Sequence, residues 1–424
     1  MPKDLSLGDL RSLVSGTAVA IRGRATLEPA GGPGDKVFPP THSVGDRARE
    51  VGAKYARETR RLATGPVPCV LLDSVQSQAN RMEEALEELW RKKRINLPVV
   101  KVDFSQFPEV GEVTSLSAPH RVADAILRDS TLDKTPFRAS KVGKSFADAT
   151  PRNATELFKV CPTALVFGMW DSTGPKGGLG SKFARALVSE IVGVGAEFGV
   201  KTESRIDPLG IVKDAGTIYV SKDRGEDGQL TWTSDPGQAE TEDGKPKKWG
   251  KKDKAGSPSS IVHGNVPPSI VATSGGVTID YATQTVVLSL SSLRKLGFGE
   301  NGENNLEAQT VLAALGLLAI LAATGRGHDL RSRCLLVPRP SGALRLESVR
   351  PDGGTDPVTL THDGALELYA QAVEALPKRL RFVDAKGAPL EAGEPLVVLS
   401  PGKELVKLVK ASRTLVAVED DVEE

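Results

Sequence analysis

Asp73-Ser-Val-Gln-Ser-Gln-Ala-Asn-Arg81 opens the most strongly patterned segment of the chain. Apolar residues at alternating spacings of four and three predict an amphipathic helix over about 74–93. The stripe consists of Val75, Ala79, Met82, Leu86 and Leu89. Asp73 and Gln76 fit a capping box at the start of this helix.

The polar residues of the same two turns are unusual for a face that needs only solubility. Outside the predicted stripe lie Ser77, Gln78, Asn80 and Arg81, whereas Glu83, Glu84, Glu87 and Glu88 supply ordinary solubilising charge further on. Neutral amides with one guanidinium suit a polyanion that offers sugar hydroxyls and base edges. A solvated, capped helix face is the simpler alternative.

A second informative segment, Asp171-Ser-Thr-Gly-Pro-Lys-Gly-Gly-Leu-Gly-Ser-Lys182, follows an apolar run that predicts a strand at 163–170. We expect a helix from about 182 to 194 after it. A strand, a glycine-rich loop and a helix start would let backbone amides and the helix dipole grip phosphate. Counter-charge would come from Lys176, Lys182 and Arg185.

The spacing of this loop fits neither a Walker loop nor GxGxxG, which disfavours a nucleoside triphosphate site. A purely structural turn is one interpretation, and contact with an extended phosphate backbone is the favoured one. In that interpretation Gly177, Gly178 and Gly180 allow close approach of the backbone.

Charge is segregated along the 424 residues, although the net charge is only +1. Basic residues concentrate at 47–61, 91–94 and 245–254, and the tail at 419–424 is acidic. A chain of this kind can bind a polyanion locally while remaining neutral overall.

The cysteines and the most apolar run indicate in which environment the protein works. Cys69, Cys161 and Cys334 are too far apart in sequence for zinc spacing, so we expect them to be small buried residues in a reducing cytoplasm. The most apolar run, 311–323, is too short to cross a bilayer and predicts a buried core helix.

The order of predicted elements favours an α+β fold with a ferredoxin-like or RRM-like sheet. Long insertions at roughly 105–160 and 200–275 would project from this sheet. Further predicted strands are 14–24, 67–72, 97–104, 216–220, 229–233, 277–281, 284–290, 333–338, 344–349, 379–384 and 395–399. Further predicted helices are 119–128, 305–324 and 364–376, and 234–260 is expected to be mobile.

Signals for catalysis are weak. The five histidines have no metal-ligand spacing, and neither a metal nor a cofactor is expected. Asp171 stands where an α/β enzyme would place an acid, but a turn explains it more simply. Lys295-Leu-Gly-Phe-Gly299 echoes an RNA-stacking motif without the flanking aromatics and is interpreted as a turn.

Three stretches together resemble the RAMP-superfamily backbone subunit of a type I-G (formerly I-U) CRISPR Cascade complex. They are Leu71-Leu-Asp-Ser-Val-Gln-Ser-Gln-Ala-Asn-Arg-Met-Glu-Glu84, Pro162-Thr-Ala-Leu-Val-Phe-Gly-Met-Trp-Asp-Ser-Thr-Gly174 through Lys182-Phe-Ala-Arg-Ala-Leu-Val-Ser-Glu190, and His263-Gly-Asn-Val-Pro-Pro-Ser269 through Gly276-Val-Thr-Ile-Asp280. In related subunits the first helix of the palm begins Ser-Gln-x-x-Lys and touches the guide RNA. Ser77-Gln78-Ala79-Asn80-Arg81 matches that pattern with Arg for Lys, but Ala85 stands where a further basic residue would be.

The resemblance implies a non-catalytic, cytoplasmic subunit that binds CRISPR guide RNA (crRNA) for antiviral defence. Copies would stack head to tail along the guide and present it for pairing with target DNA. The other implied partners are the large subunit, the guide-processing or 5′-end-capping subunit and a recruited helicase-nuclease, with no membrane.

The implied protomer has an RRM-like palm at 1–104, 161–200 and 276–424, a fingers-type insertion at 105–160 and a thumb-type insertion at 201–275. Ile206, Leu209 and Ile211 are candidate wedges that displace a base. Predicted RNA contacts are Arg22, Arg24, Ser77, Gln78, Arg81, Lys176, Gly177, Gly178, Gly180, Lys182 and Arg185.

Two alternatives remain open at this point. A RAMP-fold metal-dependent ribonuclease would use a loop aspartate, for which Asp103 and Asp129 are the candidates. A small-molecule phosphate enzyme would use the glycine-rich loop.

Overall fold

The computed structural model describes residues 4–43, 54–173, 180–212, 214–225, 229–250, 255–299, 302, 304–384 and 386–423. The helices are α1 (Leu7–Ser15), α2 (Val75–Arg91), α3 (Ala125–Arg128), α4 (Lys141–Ala147), α5 (Thr155–Val160), α6 (Thr163–Phe167), α7 (Leu290–Leu293), α8 (Asn305–Gly325), α9 (His362–Glu374) and α10 (Lys403–Glu423).

The strands are β1 (Ala20–Pro29), β2 (Arg57–Leu62), β3 (Gly65–Asp73), β4 (Val100–Phe104), β5 (Gly111–Thr114), β6 (Ser130–Leu132), β7 (Thr135–Pro136), β8 (Met169–Trp170), β9 (Lys182–Phe183), β10 (Leu187–Val194), β11 (Glu197–Phe198), β12 (Lys201–Arg205), β13 (Tyr219–Arg224), β14 (Leu230–Thr233), β15 (Thr241–Glu242), β16 (Lys245–Pro246), β17 (Val266–Val271), β18 (Val277–Thr278), β19 (Tyr281–Ser289), β20 (His328–Arg331), β21 (Cys334–Pro338), β22 (Arg345–Val349), β23 (Thr355–Val358) and β24 (Val397–Pro401). The architecture is therefore mixed α+β with several sheets, as the sequence predicted at that level.

The described chain divides into two units. The first comprises the described residues within 4–43, 54–198 and 276–402, and the second comprises those within 199–275 and 403–423. The second unit contains the antiparallel ribbon β12–β17, the hairpins β13–β14 and β15–β16, and α10. The described part of 234–260, the segment expected to be mobile, contains the β15–β16 hairpin and the start of a 3₁₀ turn at Pro258–Ile261.

A nine-stranded sheet forms the centre of the first unit, in the order β2-β3-β10-β19-β1-β21-β20. β22 also pairs with β1, and β23 pairs with β22. All of these neighbours are antiparallel. A smaller sheet, β5-β4-β24-β6-β7, contains one parallel pair, β4 with β24.

The helices α2 and α8 contact each other, β10 contacts α2, and β19 contacts α8. β19 alternates buried and partly exposed residues, with Val286 and Leu288 buried on the helix side. α8 is long and apolar enough to cross a membrane by length and composition, but 78% of its most apolar window is buried inside the protein. The prediction of a buried core helix at 311–323 is confirmed.

Two predicted elements around the glycine-rich loop are wrong. The run 163–170 is helix α6 followed by the short strand β8, and 182–194 is β9 and β10 instead of a helix. β10 lies between β3 and β19 inside the sheet, and its buried apolar run at 191–194 is too short to distinguish a strand from a helix by sequence alone. The helix start that was expected to support phosphate binding is therefore absent from the described part of this segment.

Candidate nucleic-acid interface

The first turn of α2 is capped by Ser74 and not by Asp73. The Ser74 hydroxyl accepts from the Ser77 amide at 3.2 Å. Asp73 is fully buried, and its carboxylate accepts from Gln78 Nε2 at 2.6 Å and from Arg81 Nε at 3.0 Å. The predicted capping box is wrong because Ser74 is the N-cap residue and the Asp73 carboxylate is bound by side chains further along α2.

Gln78 faces the sheet instead of solvent, which corrects its predicted position on the helix. Its side-chain oxygen accepts from Ser189 Oγ at 2.8 Å and from Gln284 Nε2 at 3.1 Å. The residue is only 4% exposed. Gln78 therefore ties α2 to β10 and β19, because a buried amide left without partners would be costly.

Arg81 is also committed to the protein. Besides Asp73, its guanidinium donates to the backbone oxygens of Asp329, at 3.2 Å, and Leu330. The side chain keeps 30% of its exposure and lines a polar pocket with His328. Burial lowers the pKa of His328, so this pocket gains little cationic charge from the imidazole near neutral pH.

The polar residues on the remaining side of α2 line a cleft of about 630 Å³. Gln76 and Asn80 from the helix meet Trp170, Lys182 and Arg185 there. Lys182 Nζ lies 5.1 Å from the centroid of the Trp170 ring, directly across the β8–β9 ladder. The cleft thus brings together the two segments that the sequence singled out.

The floor of this cleft is held by a buried ion pair between α2 and the 3₁₀ turn Arg121–Ala123. Arg121 donates to both Glu83 carboxylate oxygens at 2.6 Å and to the Gly168 carbonyl at 3.0 Å. Burial raises the pKa of Glu83 to about 7, against the attraction of Arg121. Glu83 was interpreted as a solubilising residue, and only the fold reveals its partner.

A second group of basic side chains lies on β1 and β22. Arg22 is neutralised by Glu347, which accepts from its Nε at 2.7 Å. Arg24 is exposed and lies directly opposite the exposed Arg345, and both line a cleft of about 330 Å³. Like charges in register destabilise a sheet, so an anion bound between the two guanidiniums would stabilise this pair.

The remaining residues predicted to contact RNA lie in different surroundings. Ser77 is partly buried and lines a neighbouring groove with Asn80 and Arg81. Gly180 is partly buried and lies at a bend of the backbone. Lys176, Gly177 and Gly178 lie outside the described residues. Trp170, His120 and Arg345 were not identified from the sequence as lining residues. An isolated tryptophan at the end of a predicted strand was the available signal for Trp170, whereas Arg345 is found only through the register of β1 with β22.

The residues considered for catalysis have structural partners. The Asp171 carboxylate pairs with Arg138 and is 2% exposed, and Asp129 accepts from Arg128 at 2.7 Å. Asp103 accepts from the Ser105 amide at 2.8 Å. Among the described residues, no three His, Cys, Asp or Glu side chains are grouped closely enough to hold a metal.

Two further sequence-based interpretations concern buried groups. Cys69, Cys161 and Cys334 are free and buried, as predicted. Phe298 of the stacking-like motif is fully buried and packs against Phe158, so it presents no stacking surface.

One of three comparisons with known proteins supports the sequence resemblance. Residues 21–198 match the family model described as CRISPR-associated protein GSU0053. No curated protein matches the chain. Csc2 from Thermofilum pendens is similar in structure with a TM-score of 0.27 and 12% sequence identity, over 88% of this chain and 77% of that one, which is too distant to carry an argument. The match over residues 21–198 supports the family resemblance seen in the sequence at the level of a CRISPR-associated protein.

Proposed function

We propose that the protein is a non-catalytic backbone subunit of a type I-G interference complex that binds crRNA. The observation that carries this proposal is the cleft at which α2 meets Lys182 and Arg185. Two cations beside exposed amides suit a phosphate–sugar backbone with accessible base edges. The family match of residues 21–198 supports the same assignment.

The strand order supports an RRM-like palm. With other elements between them, β1, α2, β10, β19, α8 and β22 occur along the chain in the order strand, helix, strand, strand, helix, strand. In the sheet these strands stand in the order β22-β1-β19-β10 with antiparallel neighbours. This order supports the proposal of a split βαβ arrangement like that of ferredoxin-like domains.

In this proposal 201–275 is the thumb and 105–160 is the fingers insertion. Ile206 and Leu209 are 86% and 74% exposed, and Ile270 on β17 is 73% exposed. Solvent-exposed aliphatic side chains can insert between stacked bases. Ile211 is partly buried and is a weaker wedge than its neighbours.

Further proposed partners follow from the role as a backbone subunit. Copies of the chain would assemble head to tail on one crRNA and expose it to target DNA, as base pairing supplies the sequence specificity in RNA-guided systems. The other proposed partners are the large subunit, the guide-processing or 5′-end-capping subunit and the recruited helicase-nuclease. The lysine-rich segment 245–254, of which 251–254 lie outside the described residues, is a candidate contact for DNA.

The test is the salt dependence of binding to a guide-length single-stranded RNA. The variant K182A/R185A should bind more weakly, and its salt slope should fall by up to about 1.4, or about 0.7 for each phosphate that is no longer neutralised. The charge-matched control K159A/K378A should keep the wild-type slope, because neither lysine lines the cleft. An unchanged slope in K182A/R185A would contradict the assignment of this cleft.

A further inference from the structure

Trp170 is 53% exposed although both of its chain neighbours are buried, Met169 at 6% and Asp171 at 2%. The strand that carries it is fixed by pairing with β9 and by the ion pair between Asp171 and Arg138. The indole is therefore held in the cleft by its backbone and does not depend on packing of its own ring.

The surroundings of the indole combine three kinds of chemistry. Lys182 contributes a cation 5.1 Å from the ring centroid, and Arg185 contributes a second cation to the same cleft. Gln76 and Asn80 contribute exposed amide groups that can both donate and accept hydrogen bonds. An aromatic face, amides and cations match the base, the base edge and the phosphate of a nucleotide.

We propose that Trp170 is the stacking surface for one unpaired base of the bound RNA, with Lys182 at the adjacent phosphate. This inference rests on the proposed function and assigns a base subsite to a cleft otherwise proposed to hold backbone. Aromatic stacking tolerates any base, so the subsite adds affinity without sequence preference.

The experiment compares a short single-stranded RNA with an abasic strand of the same length and charge. The protein is the full chain with Trp232→Phe, which removes the other half-exposed indole, since Trp90 and Trp249 are each 3% exposed. The intact RNA should quench the remaining tryptophan fluorescence and bind between about 5-fold and 100-fold more tightly than the abasic strand. Adding Trp170→Ala should bring the two affinities close together, and Trp170→Phe should retain part of the difference.

The outcomes separate this inference from the function on which it rests. Salt-dependent binding with an intact-to-abasic ratio that Trp170→Ala leaves unchanged would overturn the base subsite alone. No binding of either strand at low salt would overturn the RNA-binding function and the subsite with it. If Trp170→Ala changed only the association of protein copies and not the ratio, the indole would be a protein contact and the subsite would be excluded.

Discussion

Arg81 and Lys182 are both basic residues of the predicted RNA site, but their surroundings differ. The Arg81 guanidinium contacts Asp73 and two backbone oxygens of β20. Lys182 is exposed and has the face of Trp170 beside it. The residue types could be read from the sequence, but these surroundings could not, because the partners of Arg81 on β20 lie about 250 positions away in the chain.

Arg81→Ala should lower the free energy of unfolding by about 1–3 kcal/mol, because it removes hydrogen bonds to a buried carboxylate. Lys182→Ala should change the free energy of unfolding by less than about 0.5 kcal/mol, as expected for an exposed residue. Urea denaturation of both variants measures the difference. Equal stability of the two variants would show that the Arg81 contacts contribute nothing to the fold.

Arg138→Ala should destabilise the protein by about 3–5 kcal/mol, because it leaves the buried Asp171 carboxylate without its partner. Arg128→Ala removes the more exposed pair with Asp129 and should cost only about 0.2–1 kcal/mol. Chemical denaturation of the two variants side by side provides the test. A small effect of Arg138→Ala would argue against a structural role for Asp171.

Glu83 predicts a pH dependence of stability. Because burial raises the folded-state pKa of its carboxyl from 4.5 to about 7, the folded protein holds this proton more tightly than the unfolded chain does. The resulting stabilisation is complete below about pH 4.5 and is lost as the pH rises through about 7. Relative to Glu83→Gln, the wild type should lose roughly 3 kcal/mol over this range. Denaturation curves for both proteins between pH 5 and pH 8 test this, and parallel pH profiles would contradict it.

At the scale of elements, the amphipathic pattern of α2 and the long apolar run of α8 were reliable guides, whereas short apolar runs were not. α2, α8 and α9 and the β13–β14 hairpin lie close to their predicted positions. The segments 163–170 and 182–194 were assigned to the wrong kind of element, and α10 was not predicted. Buried strands and buried helices share an apolar composition, so sheet neighbours decide between them.

The cap of α2 gives a prediction at this scale. Ser74→Ala should lower the free energy of unfolding by about 0.5–2 kcal/mol, because the Ser77 amide loses its acceptor. Gln76→Ala should leave the free energy of unfolding nearly unchanged, because among the described residues the Gln76 side chain makes no hydrogen bond that caps the helix. Thermal or urea denaturation measures the stability of both variants. A larger loss for Gln76→Ala than for Ser74→Ala would favour the capping box predicted from the sequence.

For the whole molecule, the sequence predicted a mixed α+β chain and the segments that meet at the cleft. The cleft itself could not be predicted, because it depends on the turn at Arg121–Ala123 and on β8, both of which need tertiary partners. The segregated charge is consistent with a local polyanion site in a chain with a net charge of +1.

Assembly along RNA is the prediction at this scale. Analytical ultracentrifugation with a guide-length RNA should detect several protomers on each RNA at low salt, and raising the salt should dissociate them. Co-expression with a CRISPR array should yield the same species. A monomer that ignores RNA in both preparations would contradict the role as a backbone subunit.

The short pair β11–β18 joins the two places at which the chain leaves and re-enters the first unit. Glu197 lies opposite Thr278 and Phe198 lies opposite Val277, so the ends of the intervening segment are already side by side. Closing such a gap needs only a two-residue hairpin turn such as Asn-Gly. The register of β10 with β19 therefore does not depend on the length of the segment between residues 198 and 276, because the chain leaves and returns at neighbouring positions.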